Sequence, residues 1–373
     1  MKKRTEITMD VLTRKNTTYL PSQLVFSTQA KQKEFADAMG FKTEEEVSKY
    51  LNNHFIYTAA YDDVTSFFNG DKERNMRVVN DGINTFDPAT NRVRDRWGCE
   101  FDVDAPYGFF NYGHQLEGAD EEEINAYKAP EMPDDMMDLL FSMAMEDKAK
   151  YEEDLVVICG GYCGVFERAY NMLTLEDFMY YMTAEPKMLY DFMEKIADQK
   201  VRTAQEVVKR GFRMGHTGDD LGTQISTLFS PEMFRSLVLP HLKRIFKVYN
   251  DAGIPVQLHS CGYITPFLPD LIDAGLNILE PTQPVMDIEF LKREYGKDLI
   301  FYGGVDTQKL LAFGTPQEVK DETKRTIEIL GKDGGLVIAP AQEIMPNVPV
   351  ENVIAFAEAV KEMQGDQAKQ YEE

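Results

Sequence analysis

Short apolar runs alternate with longer stretches of helical period along most of the chain. Strands buried on both faces read as continuous apolar runs, so this alternation is the pattern of βα units and a parallel sheet. The clearest runs are 154–159 (DLVVIC), 212–217 (FRMGHT), 255–259 (PVQLH), 276–280 (LNILE), 299–303 (LIFYG) and 335–340 (GLVIAP). Each leads through a polar or glycine-containing turn into a helical stretch, as in PEMFRSLVLPHLKRIFKVYNDAG and PQEVKDETKRTIEILGKDG. Gly253, Gly275 and Gly331 stand where these helices should stop, in keeping with the preference for glycine there.

Two further runs, PSQLVF (21–26) and FIYTAAY (55–61), are separated by helical sequence in which Thr43 caps the second helix. Two early and six late strands make eight, the count of a (β/α)8 TIM barrel, expected here as one domain over residues 1–373. An open doubly wound sheet is the alternative, but no G-x-G-x-x-G follows the first strand. Residues 76–112 break the pattern. Turn signals at Asn80-Asp81-Gly82 and Asp87-Pro88 separate short β-like runs there, which predicts a β-hairpin insertion carrying Trp97. The aromatic stretch YGFFNYGH (107–114) is expected to lie over the barrel mouth. Residues 118–135 read as an acidic surface loop and 366–373 as a frayed tail.

The net charge of −23, from 63 acidic and 40 basic residues, argues against nucleic acid and anionic membrane as partners, since both need phosphates neutralised by Lys or Arg. Cys99, Cys159, Cys163 and Cys261 are too few for a disulfide framework in so long a chain. MKKRTEITMD has no apolar stretch behind its basic residues, and no run is long enough to span a bilayer. The cytoplasm is the expected compartment.

Candidate chemistry gathers at strand ends. His259-Ser260-Cys261-Gly262 closes the PVQLH run. Residues i and i+2 of a strand share a side, so an imidazole and a thiolate can aim at one point, a pair zinc accepts. An inert buried His and Cys is the plainer alternative. LNILEP brings Glu280 to the same mouth, and the last strand runs into Gln342 and Glu343. A solvated strand end and a helix-entry carboxylate are the alternatives for Glu280 and Glu343. Asp219 and Asp220 follow the FRMGHT run as candidates for acid/base work or substrate orientation. A helix cap explains one of them but less easily both. The run CGGYCG (159–164) leaves room for a ligand near the backbone, and Gly303-Gly304-Val305-Asp306 is a further strand end.

Taken together and in order, HSCG, FYGGVD with TQKLLAFGTPQEVKDE, and IAPAQEIMPNVPVENVIAFAEA resemble the uroporphyrinogen decarboxylase superfamily. The decarboxylase branch carries an Arg-rich N-terminal motif and a His in the closing motif. This chain has PSQLVFSTQAKQKEF and Gln342 there instead. The resemblance is closer to the corrinoid-dependent methyltransferase branch, which holds zinc with H-x-C and a second Cys in the closing motif. His259 and Cys261 match, while Gln342 stands where the second Cys would be. That departure tilts the expectation from a coenzyme M enzyme toward an O-methyl or N-methyl substrate.

The resemblance therefore implies methyl transfer between a small methylated substrate and a corrinoid on a partner protein, assisted by zinc. The expected zinc ligands are His259, Cys261 and Glu280. Asp219, Asp220 and Glu343 are the expected catalytic residues, and Tyr162, Gln283, Asp306 and Gln342 the expected substrate-binding ones. A homodimer is a further expectation. A metal-independent decarboxylase and a non-catalytic binding member of the family are the alternatives.

Overall fold

In a computed structural model of the chain, the structure describes residues 2–60, 73, 76–77, 84–103, 111–161, 163–365 and 371–372. Lys2–Lys3 (β1) pairs with Tyr371–Glu372 (β13). The centre of the fold is a curled sheet of seven parallel strands: β2 (Phe55–Ala59), β7 (Val156–Gly161), β8 (Met214–Gly218), β9 (Val256–His259), β10 (Ile278–Thr282), β11 (Ile300–Val305) and β12 (Leu336–Pro340). Their spatial order is β12-β11-β10-β9-β8-β7-β2, so each strand lies beside the one that precedes it within this sheet. Such an order requires a crossover at every step, and helices supply it.

The strands are apolar on both faces because both are covered. Val156, Ile158, Met214, Ile278, Ile300, Tyr302 and Val337 pack together in one cluster inside the curl. The alternate residues Val157, Cys159, Leu258, Leu279, Phe301 and Leu336 belong to the larger core beneath the helices. The helix Pro186–Lys209 shows how that second face is covered. Its buried Met188, Leu189, Phe192, Met193, Ile196, Ala197, Lys200, Thr203, Ala204 and Val207 recur every three or four residues, the spacing of one helical face.

The expected strand at 21–26 takes the form of isolated bridges. Ser22 bridges Asn53, just before β2, and also Ile338 of β12; Phe26 bridges Ile344. Both edges of the curled sheet are therefore joined to the same short segment. His54 fastens this seam: Nδ1 accepts from the Ser22 N–H at 3.1 Å and Nε2 lies 2.7 Å from the Tyr19 hydroxyl. Thr43 caps the helix Glu44–Leu51 in a reciprocal capping box with Glu46.

Where the sequence predicts a hairpin over 76–112, the described residues show a four-stranded antiparallel sheet: β3 (Thr85–Asp87), β4 (Arg92–Arg94), β5 (Glu100–Asp102) and β6 (Asn111–Gly113), in that order. Residues 80–82 and 104–110 lie outside the described residues, and with them the Asn80-Asp81-Gly82 turn and the first half of the YGFFNYGH stretch. Of the expected tail, only Tyr371 and Glu372 are described. A buried ion pair, Arg168 to Asp95 at 2.8 Å, ties the small sheet to the helix Val165–Leu173 that follows β7. In 118–135 the expected loop contains the helix Glu121–Ala126, capped by Asp120 and Glu123. No helix among the described residues is long and apolar enough to cross a membrane.

Candidate metal centre at the strand ends

Two loops build the site. Asp219 to Thr223 leave β8, and Ser260 to Tyr263 leave β9. Hydrogen bonds zip them together: Asp219 N–H to the His259 carbonyl (2.9 Å), Leu221 N–H to Ser260 Oγ (3.1 Å) and Tyr263 N–H to the Thr223 carbonyl (2.8 Å). So close an approach needs glycine on both sides. A Cβ on Gly262, whose φ is +87°, would fall 2.3 Å from the Gly222 carbonyl carbon, and a Cβ on Gly222 would fall 2.7 Å from the Tyr263 nitrogen. The zipped loops bring Asp220 Oδ1 within 2.7 Å of the Cys261 backbone N–H, from which it accepts.

Asp220, His259 and Cys261 converge, with one donor atom from each lying within 4.8 Å of the others. His259 Nε2 is 3.6 Å from Cys261 Sγ and 3.6 Å from Asp220 Oδ1. Zinc bond lengths imply ligand-to-ligand edges of about 3.5 Å in a tetrahedron. Sulfur, imidazole nitrogen and carboxylate oxygen are all donors that zinc accepts, so the residues present fit that ion.

Glu280 reaches the centre from the expected strand end and meets it at His259. It is the register partner of His259 on the neighbouring strand, and its Oε2 lies 2.7 Å from His259 Nδ1. It thus holds the far side of the ring and leaves Nε2 to the centre, the arrangement by which carboxylates orient metal-binding histidines. Burial opposes the charged form of His259, yet Glu280 and Cys261 outweigh it and hold the ring's pKa well above the usual value. Burial pushes the Cys261 thiol up, with His259 pulling it back.

Gln283 and Gln342 both donate to Cys261 Sγ through Nε2, at 3.4 and 3.5 Å. Glu343 stands beside them, and burial raises its carboxyl to about 7, against the influence of His259. Inside the curl beneath His259 lies a polar-aromatic layer that the sequence reading missed. Gln257 Nε2 donates to the Tyr57 hydroxyl at 2.9 Å, and the Tyr57 ring meets those of His216 and Tyr302. The period-2 alternation of FIYTA was the available signal, since it puts Tyr57 on the same face as Phe55.

Other expected site residues lie elsewhere. Asp219 is buried and accepts from the N–H groups of Val165 (3.1 Å) and Glu167 (2.8 Å), at the start of the helix Val165–Leu173. Burial pushes its pKa up to about 7 against the pull of those donors. Asp306 caps the turn after β11, accepting from Gln308 and Lys309 N–H. It lines a separate cleft of about 660 Å³ with Asp287, Leu310, Glu318 and Arg325, which shares no residue with the His259 centre. Tyr162 lies outside the described residues.

Residues 114–363 match the family described as uroporphyrinogen decarboxylase (URO-D). Among curated proteins, the chain is 24% identical over 220 residues to a methylated-thiol–coenzyme M methyltransferase of Methanosarcina mazei, covering 59% of this chain and 57% of that one. It is 24% identical over 205 residues to the methylcobamide:CoM methyltransferase MtaA of Methanosarcina barkeri, covering 55% and 58%. With a uroporphyrinogen decarboxylase of Carboxydothermus hydrogenoformans it shares 27% over 183 residues, covering 49% and 50%. These matches span between half and three-fifths of each relative's length. A methyltransferase structure from Methanosarcina mazei superimposes with a TM-score of 0.67 at 17% identity, covering 98% of this chain and all of that one.

Proposed function

The chain belongs to the uroporphyrinogen decarboxylase family, and on that premise we propose that it is a zinc-assisted methyltransferase acting between a small methylated substrate and a corrinoid on a partner protein. We favour an O-methyl substrate. The observation that carries the reading is the convergence of Asp220, His259 and Cys261 at one point, with Glu280 behind the imidazole. The methyltransferases among the relatives support the same direction. We take the fold as a complete (β/α)8 barrel, with residues 21–26 as its eighth stave; the bridges from Ser22 to both sheet edges support this.

Zinc held by Asp220, His259 and Cys261 would supply Lewis acidity toward the oxygen that leaves when the methyl group departs. The protein's own residues do the rest. Glu280 fixes the tautomer and direction of His259. Glu343, whose carboxyl holds its proton up to about pH 7, donates a proton to the departing oxygen. Tyr57, Gln257 and His216 form the floor on which the substrate rests, and Tyr162 is assigned to the substrate side. The corrinoid belongs to the partner, and none of the described residues is assigned to it.

Decarboxylation of a polycarboxylate is the second reading. The net charge of −23 weighs against it, because such a substrate calls for a basic cleft. The deciding experiment uses protein purified without chelator or nickel resin. Its zinc is counted, and cob(I)alamin is mixed with it and a panel of aryl and alkyl methyl ethers. The expected result is one zinc per chain and conversion of cob(I)alamin to methylcobalamin. Metal-free protein that leaves cob(I)alamin untouched across the panel would sink the proposal.

A further inference from the structure

Among the described residues, Cys261 is the one sulfur donor in the candidate centre, and two side-chain amides address it from the ends of different strands. Gln283 follows β10 and Gln342 follows β12. An amide's two ends can be exchanged without changing its shape, so what faces the sulfur depends on what fixes each amide. In both, the backbone does so. The Gly262 N–H donates to Gln283 Oε1 at 2.7 Å, and Gln283 Nε2 also reaches the Ala341 carbonyl at 3.2 Å. Turning that amide over would set N–H against N–H and oxygen against oxygen. The Glu343 N–H donates to Gln342 Oε1 at 3.0 Å, which leaves Nε2 to the sulfur. Both N–H groups are therefore committed to Cys261 Sγ.

We propose that Gln283 and Gln342 are positioning residues whose two N–H groups hydrogen-bond Cys261 Sγ when it binds the metal as a thiolate, and thereby weaken its donation to that metal. The inference rests on the metal reading above and deepens it. A thiolate accepting two N–H groups spreads its charge onto them, as charged acceptors do in strong hydrogen bonds. Less charge is then given to the metal, which stays a stronger Lewis acid than a bare thiolate would leave it. The same withdrawal makes the sulfur a poorer nucleophile, which protects it in a site where a methyl group is being transferred. In this arrangement Gln342 has its own function: it supplies a donor to the existing sulfur. It also explains why the chain tolerates a single thiolate.

The test uses the full chain, stripped of metal and reloaded with Co²⁺ alone, and reads the sulfur-to-cobalt charge-transfer absorption. Wild type should show the band of a single thiolate. In Gln342→Met, which keeps the side-chain length and removes the donor, the band should move to lower energy. It should move the same way in Gln283→Met, and further in the double variant. Gln342→Met carries the test if Gln283→Met fails to fold, since of the two glutamines it is Gln283 that accepts from the Gly262 N–H. A thiolate band unchanged in position in the variants would overturn the proposal while leaving the metal site intact. A wild type that binds Co²⁺ with no thiolate band would overturn the metal site and the proposal together.

Discussion

Glu280 Oε2 and His259 Nδ1 lie 2.7 Å apart on adjacent strands whose register pairs the two residues directly. The carboxylate is thereby occupied with the side of the ring that faces away from Cys261 and Asp220. Removing a partner of this kind misdirects a ligand without deleting it.

Glu280→Gln should therefore lower zinc affinity by about 10- to 100-fold with the stoichiometry at saturation unchanged. Cys261→Ser and Asp220→Ala remove donors and should leave substoichiometric zinc in the purified protein. Competition titration against a chromogenic chelator measures all three. Equal affinity in wild type and Glu280→Gln would contradict the orienting role.

Asp219 and Asp220 are neighbours with opposite assignments. Asp219→Ala strips two backbone N–H groups of their acceptor at a buried helix start, a loss of about 1–2 kcal/mol. Asp220→Ala should change stability little in chelator-treated protein, because that side chain is 42% exposed. Urea unfolding of the two variants side by side checks this, and a reversed order of stability would refute it.

Acid should destabilise the fold through buried histidines. Burial first, then the Arg244 charge, lowers His241 to about 4, although Glu194 lies 3.1 Å from its Nδ1. Burial also takes His54 well below its usual value. As pH falls below the ordinary histidine value of about 6.5, the unfolded chain takes up these protons before the folded one. Stability is thus full above that pH and is lost on the way down to about 4, where His241 protonates in the folded state. For His241 alone the loss is on the order of 3 kcal/mol. Urea midpoints at pH 7.5 and pH 5 in chelator should show the decline, and His241→Phe should reduce it. A pH-independent midpoint would rule it out.

The Asp95–Arg168 pair is almost wholly buried, and Asp95 also accepts from the Trp97 and Cys99 N–H groups. Replacing Asp95 by Ala leaves a guanidinium buried against Trp97 and should cost about 3–5 kcal/mol. Changing Arg168 to Met as well should recover part of that loss. Denaturant unfolding of the single and double variants provides the measurement, and a cost below about 1 kcal/mol for Asp95→Ala would count against the bridge.

The strands were legible in the sequence because they are buried on both faces. The runs at 255–259, 299–303 and 335–340 lie within one or two residues of β9, β11 and β12. PSQLVF was legible as extended but not as bridges alone, since what it pairs with lies at residues 53 and 338. His259 and Cys261 could be read as converging from strand period. The contact of Glu280 with His259 Nδ1 depends on the register between two strands, which a strand-end position alone does not encode. Asp220 joins the centre through the contact of Gly222 with Gly262, forty residues apart in the chain, which no local pattern encodes. The orientation of Gln342 depends on a hydrogen bond from the backbone of Glu343, again invisible to composition or spacing.

The seam at Ser22 has a consequence for how the protein is made. Gln23 N–H bonds the Ile338 carbonyl, Ile338 N–H bonds the Pro21 carbonyl, and Ser27 and Ile344 are joined in the same way. On the ribosome, the partners of residues 21–27 are synthesised more than three hundred residues after them. At about 5–20 residues per second, that delay is on the order of tens of seconds. Throughout it, residues 21–27 have a vacant backbone side, the kind of surface that invites strand addition from other chains. The seam can close only once residue 344 has been made, so a pause before that point leaves residues 21–27 without these partners.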